Sequence, residues 1–429
     1  MYPHRLSSAE NADTGGDVSR ADSPMYRLLR WLPRPLRRWL VFWPALVAAR
    51  LLLLGRRPRP GPPVIAGLLT SPVGLGQGAR LSLQAAQDAG IEVRGLDLCD
   101  YFAWHRKLAA QPMVPAHADE GGTLILHLNP PELPFAILAI GRSLLKSKRI
   151  VGYWAWELAR VPLFWRFACS LVDEVLVPSR FVADAFGPKP PCPVRVVTHP
   201  VRPPIPAPIN RDHFGISENV FVCLVVFDMQ SSMARKNPVG AVTAFKSAFG
   251  DDPTAMLVVK VSGMETASQQ MEELVAAVTP HKNVMLLQEI YTTEVVAALI
   301  QISDVLISLH RSEGLGLVIV EAMYLRVPVV ATAYSGNVDF MNSANSAQVG
   351  YTLIPVCDPQ GTYGGVGQVW ADPDIAQAAT WLQRLRSDPS LRSAITDRAY
   401  ADVTEYFSSA HHVQFLKETE TYFSHRSNR

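Results

Sequence analysis

Glu313 and Glu321 stand eight positions apart in the run Ser312-Glu-Gly-Leu-Gly-Leu-Val-Ile-Val-Glu-Ala-Met323. The first lies on a loop punctuated by Gly314 and Gly316, with Leu315 and Leu317 between and after them; the second falls in an apolar stretch that reads as a helix. Such spacing is slightly more than two helical turns, so both carboxylates can face one bound molecule. An ionised carboxylate accepts paired hydrogen bonds from a diol, as in a sugar or a ribose. The free amides at the helix start favour an anion. A second group is cationic. Arg235 and Lys236 lie in Phe227-Asp-Met-Gln-Ser-Ser-Met-Ala-Arg-Lys-Asn-Pro-Val239, just before a helix expected to begin near Pro238. A merely solvated basic pair at a helix start would oppose the helix dipole. Cations placed there can instead neutralise a departing diphosphate without a metal.

The elements that must hold these groups are short apolar runs alternating with helical stretches. Residues 304–308 and 327–331 read as buried strands on either side of the two glutamates. Strand, glycine loop, helix and strand form a unit that binds ligands at the carboxyl end of its strand. Further strands are expected over 219–227, 255–261, 283–287 and 347–353, followed by helices over 374–387, 389–400 and 411–423. Upstream, strands are expected over 63–69, 91–98, 123–127, 149–154 and 174–177, and this alternation implies a mostly parallel sheet. Residues 187–210 hold nine prolines, with one short strand candidate at 194–198, and read as the connection between two α/β domains.

Several other residues fall at strand ends, where this architecture faces its ligand. Gly74-Leu-Gly-Gln-Gly-Ala-Arg80 reads as a glycine-rich turn into a helix over 81–89, and Gly76 is its central glycine. Asp97 and Asp100, the nearest acids downstream, do not make it a dinucleotide site. His127 ends one strand, and Tyr153-Trp-Ala-Trp-Glu157 ends the next. Trp154 and Trp156 suit either stacking on sugar rings or core packing; Glu157 could hold a hydroxyl or act as a base. His310 and Arg311 adjoin Glu313, and a histidine there is either structural or part of the site.

At 429 residues the chain exceeds one ordinary core, and 48 % hydrophobic against 18 % charged residues describes a globular α/β protein. Net charge is +2, but residues 25–60 hold nine arginines and no acid, leaving the remainder with 31 basic residues against 38 acids. A mildly acidic body argues against nucleic acid as the ligand. Cys99, Cys169, Cys192, Cys223 and Cys357 show no metal-ligand spacing and suit reduced thiols in a cytoplasmic protein. Residues 1–24 read as a disordered tail. The basic arm that follows has an apolar part over 39–54, about 24 Å long as a helix and short of a ~30 Å bilayer core. Trp31, Trp39 and Trp43 among arginines suit an amphipathic segment lying in an anionic membrane interface. The alternative is an arm packed on the protein's own surface.

The glutamate run and the basic loop together resemble retaining, nucleotide-sugar-dependent glycosyltransferases of the GT-B fold, the family 4-like glycosyl transferases group 1 with their Glu-x7-Glu motif. The likeness covers about residues 64–405. It implies two facing Rossmann-like domains with a cleft between them. Residues 61–205 would form the acceptor side and 206–405 the nucleotide-sugar side. Residues 406–429 would hold a helix crossing back, and 1–60 the tail and arm. By resemblance Glu313, Lys236 and Arg235 are catalytic, and Glu321, Gly314, Leu315, Gly316, Leu317 and His310 bind the donor. Gly74, Gly76, His127, Trp156 and Glu157 face the acceptor. Two departures stand out. Gln230 and Ser231 occupy the region where many members carry a further arginine, and Trp154, Trp156 and Glu157 replace the usual first-domain histidine. The expected reaction moves a hexosyl or deoxyhexosyl unit (mannosyl, rhamnosyl or glucosyl type) from a nucleotide-diphosphate sugar to a glycan or lipid-linked acceptor, with no metal or cofactor. The expected place is the cytoplasmic face of the plasma membrane. A nucleotide-sugar epimerase or hydrolase using Glu157 with His127, and a non-catalytic glycan-binding scaffold, are the alternatives.

Overall fold

Apolar runs too short for helices become the strands of two parallel sheets. In the computed structural model, which describes residues 34–71, 74–99, 113–118, 120–263 and 268–422, the first sheet comprises β1 (Val64–Gly67), β2 (Arg94–Asp97), β3 (Thr123–His127), β4 (Arg149–Tyr153), β5 (Glu174–Val177) and β6 (Val194–Val196). Its strand order is β2-β1-β3-β4-β5-β6. The second comprises β7 (Phe221–Asp228), β8 (Ala255–Ser262), β9 (Val284–Leu287), β10 (Val305–Ser308), β11 (Val329–Thr332) and β12 (Ala347–Val349), in the order β12-β11-β10-β7-β8-β9. All the pairings in both sheets are parallel. Strands such as β1 and β3 are buried along their whole length, because crossover helices cover both faces.

Chain order reverses between β1 and β3 in the first sheet, and between β7 and β10 in the second. At such switch points the connections leave to opposite faces and open a crevice at the carboxyl ends of the strands. The Arg235–Lys236 loop follows β7 and the glutamate loop follows β10, so the two groups singled out in the sequence flank one switch point.

The strand expected over 347–353 divides at Gly350. Its second part becomes β13 (Tyr351–Pro355), which pairs antiparallel with β14 (Val369–Pro373) in a separate two-stranded sheet. Tyr351, Thr352 and Leu353 are all exposed, so the apolar run does not mark burial here. The glycine-rich segment is also different from the expected turn. It is already helical, as the first turns of Gly74–Asp88. Gly76 and Gly78 serve close packing rather than a loop. A Cβ on Gly76 would lie 2.4 Å from the Leu68 carbonyl oxygen, and one on Gly78 would lie 2.3 Å from the His199 ring.

The arm forms the helix Arg34–Leu52, with Pro44 inside it. Phe42, Leu46, Ala49 and Leu53 are buried in the first sheet's own hydrophobic core. Trp43 and Phe42 pack edge-on against Phe167 and Phe164. Arg142 donates to the Leu52 and Leu54 carbonyls, and Arg56 forms a forked pair with Asp173. Among residues 40–54, Leu40, Val41, Val47, Leu51 and Leu54 are exposed, so this stretch of the arm is apolar on both sides rather than amphipathic. Packing on the first domain therefore coexists with an uncovered apolar face. Among the described residues no helix is long and apolar enough to cross a membrane. The expected disordered tail and Trp31 lie outside the described residues.

The last helix, Ser409–Thr421, lies on the first sheet although it follows the second in sequence. Phe415 and Leu416 join Ile65 and Leu83 in one buried cluster, and Ser82 Oγ meets His412 Nε2 at 2.6 Å. Phe423, the expected end of this helix, falls outside the described residues.

Candidate active site

After β7 the chain makes a tight sequence of turns that fixes the cationic pair. Ser232 adopts φ 69°, the short helix Met233–Lys236 follows, and Asn237 ends it at φ 52°. Asn237 then caps the helix Pro238–Phe249 by accepting from the Gly240 amide, while its Nδ2 donates to the Leu309 carbonyl beyond β10. Asn suits this position because it tolerates the left-handed region and supplies both polar atoms. The result holds Arg235 and Lys236 against Glu313. Lys236 Nζ lies 2.5 Å from Glu313 Oε1, and Arg235 Nη1 lies 3.2 Å from Oε2.

The two cations are not equivalent. Arg235 is 3 % exposed and donates to the Ser312 and Ser231 carbonyls, so it is built into the wall. The Lys236 side chain is 21 % exposed and spends one bond on Glu313. Burial opposes charge on all three groups. For Glu313 it would raise the pKa, but Lys236 and Arg235 outweigh it and hold the carboxyl at about 2. For Arg235, burial is outweighed by Tyr363, Glu313 and Glu157, and the pKa rises. For Lys236 burial wins over Glu313, and the ammonium pKa falls below its ordinary value. A bound phosphate would offer Lys236 a second anion.

Glu313 is fixed from its backbone. Its amide donates to Ser335 Oγ at 2.7 Å, and its carbonyl accepts from the Gly336 amide at 2.9 Å. Gly314 is pressed between domains. A Cβ there would sit 3.1 Å from the Trp156 carbonyl oxygen, and its own carbonyl accepts from Ser179 Oγ across the domain boundary. Gly316, at φ 96°, starts the helix Leu317–Tyr324 with no side-chain cap, so its first amides are open to an anion. Leu315 is buried beside it, and Leu317 is half-buried. Glu321, one turn inside, is half-buried; burial lifts its carboxyl to about 7 against the opposing Gln77, whose Nε2 lies 3.4 Å away. Gln77 belongs to the glycine-rich helix of the first domain.

His310 is fully buried with neither ring nitrogen bonded to protein, and burial lowers its pKa to about 4, so it is a neutral ring behind the clamp. His127 does not open onto the crevice as expected of a strand-end residue. It is fully buried, stacked 4.6 Å from Tyr153, with both ring nitrogens unbonded. Tyr153 in turn stacks 4.6 Å from His199. Trp154 is likewise core, against Trp165 and Phe186. Trp156 is buried at the domain contact, where its indole donates to the Arg160 carbonyl. Glu157 is half-buried near the cationic pair and contributes to the field on both cations. Gly74 starts its helix with open space around it, and Gly76 faces the Leu68–Ser71 turn.

Residues that the sequence did not single out complete the arrangement. Gln77 reaches Glu321, Ser179 reaches Gly314, and the Arg180 amide donates to Asp339 at 2.7 Å. Tyr363 lies over Arg235, its ring centroid 5.4 Å from the guanidinium carbon. Gln77 stood between two glycines in a run already noted. Tyr363 stood in a glycine-rich stretch with no periodicity to mark it.

Residues 224–401 match the sequence model of the family Glycosyl transferases group 1. No curated protein sequence matches the chain. Similar folds occur in solved structures. HepE of Anabaena, solved in complex with UDP-glucose, is 16 % identical with TM-score 0.60, over 83 % of this chain and 98 % of that one. Sucrose-phosphate synthase of Thermosynechococcus elongatus is 15 % identical with TM-score 0.60, over 85 % and 99 %. A glycosyltransferase of Rickettsia africae is 13 % identical with TM-score 0.58, over 85 % and 98 %. The two parallel-sheet domains are thus those of the GT-B fold, and the second of them carries the segment that is similar to Glycosyl transferases group 1.

Proposed function

We propose that the protein is a retaining glycosyltransferase that moves a hexosyl or deoxyhexosyl unit from a nucleotide-diphosphate sugar to a glycan or lipid-linked acceptor, without a metal or cofactor. The observation that carries this reading is the Arg235–Lys236–Glu313 group at the β7/β10 switch point, beside uncapped helix amides. Lys236 and those amides would neutralise the departing diphosphate, with Arg235 as the fixed wall charge. Glu313, held ionised, would hold sugar hydroxyls and steady positive charge on the sugar. Glu321 would take the ribose diol, displacing Gln77. Preorganised donors of this kind contribute on the order of 10²–10³ each in rate.

The likeness to HepE, solved in complex with UDP-glucose, and the match of residues 224–401 to Glycosyl transferases group 1 support a nucleotide sugar as substrate. The outward apolar face of the arm and its sequence of arginines support a place on an anionic membrane, at its cytoplasmic side, where a lipid-linked acceptor would be met. The epimerase or hydrolase alternative loses its acid/base pair, because His127 is sealed in the first-domain core.

A panel of nucleotide sugars tests the reading, with hydrolysis and thermal stabilisation as readouts. A donor at 100 times its Kd would stabilise the protein by about 2.7 kcal/mol. Hydrolysis and stabilisation by one nucleotide sugar, both lost in Lys236→Ala, are expected. Neither response to any donor would overturn the proposal.

A further inference from the structure

The loop between β13 and β14 is exposed at most of its positions, and Gly361, Gly364, Gly365 and Gly367 make it pliant. Tyr363 is nevertheless 8 % exposed. Both Tyr363 and Trp370, on β14, belong to the hydrophobic core cluster of the first domain, although the second domain carries them. The loop is anchored at both ends. Asp358 accepts from Ser232 Oγ at 2.8 Å and from the amides of Thr362 and Tyr363. Gln360 accepts from the Met233 amide and donates to the Met229 carbonyl, which fastens the loop to the segment that carries the cations. At its far end Gln368 crosses the boundary and donates to the Arg160 carbonyl at 2.7 Å.

Between these anchors the Tyr363 ring fills one space. Its centroid is 5.7 Å from that of Trp156 and 5.4 Å from the Arg235 guanidinium carbon. The Trp156 carbonyl is in turn the group pressed against Gly314.

We propose that Tyr363 is a positioning residue for transfer: its ring seats the Trp156–Glu157 loop of the first domain on the cationic clamp of the second. Glu157 follows Trp156 in that loop and adds its charge to the field on both cations. The inference rests on the glycosyltransferase reading for its chemistry, while the seating is a structural claim that stands apart from it. Misplacing a reacting group by about 1 Å costs on the order of 100-fold, so a residue that only positions can govern rate.

The test uses the full-length protein and separates transfer from donor hydrolysis in the absence of acceptor. Tyr363→Phe keeps the ring; its melting temperature should stay within about 2 °C of wild type. Its transfer should stay within about twofold of wild type, whereas in Tyr363→Ala transfer should fall about 10-fold or more, and by more than donor hydrolysis does. In Tyr363→Ala, amide exchange over residues 154–160 should quicken. Wild-type transfer by Tyr363→Ala, a loss in Tyr363→Phe as large as that in Tyr363→Ala, or equal loss of transfer and hydrolysis would overturn the positioning role. Unchanged exchange over 154–160 in Tyr363→Ala would overturn the seating, whatever the enzyme's activity. A wild-type protein inert toward every nucleotide sugar would instead overturn the glycosyltransferase reading and the kinetic role together.

Discussion

Lys236 and Arg235 share one carboxylate but differ in what they can still do. Arg235 is committed to wall carbonyls, whereas Lys236 retains exposure and unspent donors. Lys236→Ala should therefore reduce transfer by on the order of 10²–10³ with little change in stability; a folded Lys236→Ala variant with wild-type turnover would remove it from the mechanism. The two glutamates should separate by role. Glu313→Gln should lower kcat strongly, and Glu321→Gln should mainly raise the donor KM, since a ribose is remote from the bond that breaks. Glu321 adds a pH dependence. Its carboxyl is lifted to about 7 by burial, so it is largely protonated below that pH and ionised above it. If the ionised form takes the diol, donor KM should climb several-fold as pH falls from 8 to 6, and Glu321→Gln should flatten that slope. Parallel slopes in the two proteins would show that Glu321 does not meet the donor. These four residues were legible in the sequence, because their types and spacing sit between recognisable strands. Gln77 and Tyr363 were not, because each acts across a domain boundary, and sequence spacing carries no information about what a separate domain places opposite.

At the scale of elements, the parallel strands other than β12 were readable to within about three residues, since burial on both faces leaves continuous apolar runs. The hairpin of β13 and β14 was not, because its exposed residues include Tyr351 and Leu353 and its loop is broken by Gly361, Gly364, Gly365 and Gly367. The glycine-rich helix was misread for a related reason. Glycine marks close approach as readily as it marks a turn, and only the His199 ring and the Leu68 carbonyl distinguish the two. Gly78→Ala should thus destabilise the protein by about 1–3 kcal/mol, as overpacking does, measured in urea unfolding. An alanine tolerated without change would mean that the His199 ring moves freely. The ring has little room, since it stacks on Tyr153. Burial holds His199 at about 3, and His412 and His310 at about 4, all below the ordinary 6.5. The unfolded chain then binds protons first as pH falls. The stability due to these rings is complete above pH 6.5 and is lost progressively toward pH 4. Glu321, raised to about 7, has the opposite sign and favours the folded state as pH drops from 7 to 4.5. The unfolding midpoint should fall between pH 6.5 and 4, and His412→Gln should shallow that fall.

For the whole molecule, the arm decides how the two domains meet their surroundings. Composition led to a choice between a membrane segment and a packed arm; the helix Arg34–Leu52 satisfies parts of both. Its inner row completes the first-domain core, so deleting residues 1–58 would uncover Leu133, Trp165 and their neighbours and confuse unfolding with loss of binding. Substitution on the outer row is the cleaner test. Val47 is 53 % and Leu51 60 % exposed, and Leu163 and Phe167 on the neighbouring helix Leu163–Ala168 are exposed as well. Fully burying one such side chain in lipid contributes roughly 1.5–3 kcal/mol. Val47→Glu combined with Leu51→Glu should leave the melting temperature and activity on a water-soluble acceptor intact, while binding to anionic vesicles falls more than about 10-fold. Acidic residues should also repel the anionic surface, so the loss should be larger at low salt than at high salt. Equal pelleting of wild type and the double variant with vesicles would assign the outer row to something other than lipid. Loss of turnover on the soluble acceptor would instead place the arm within the catalytic fold rather than at its margin.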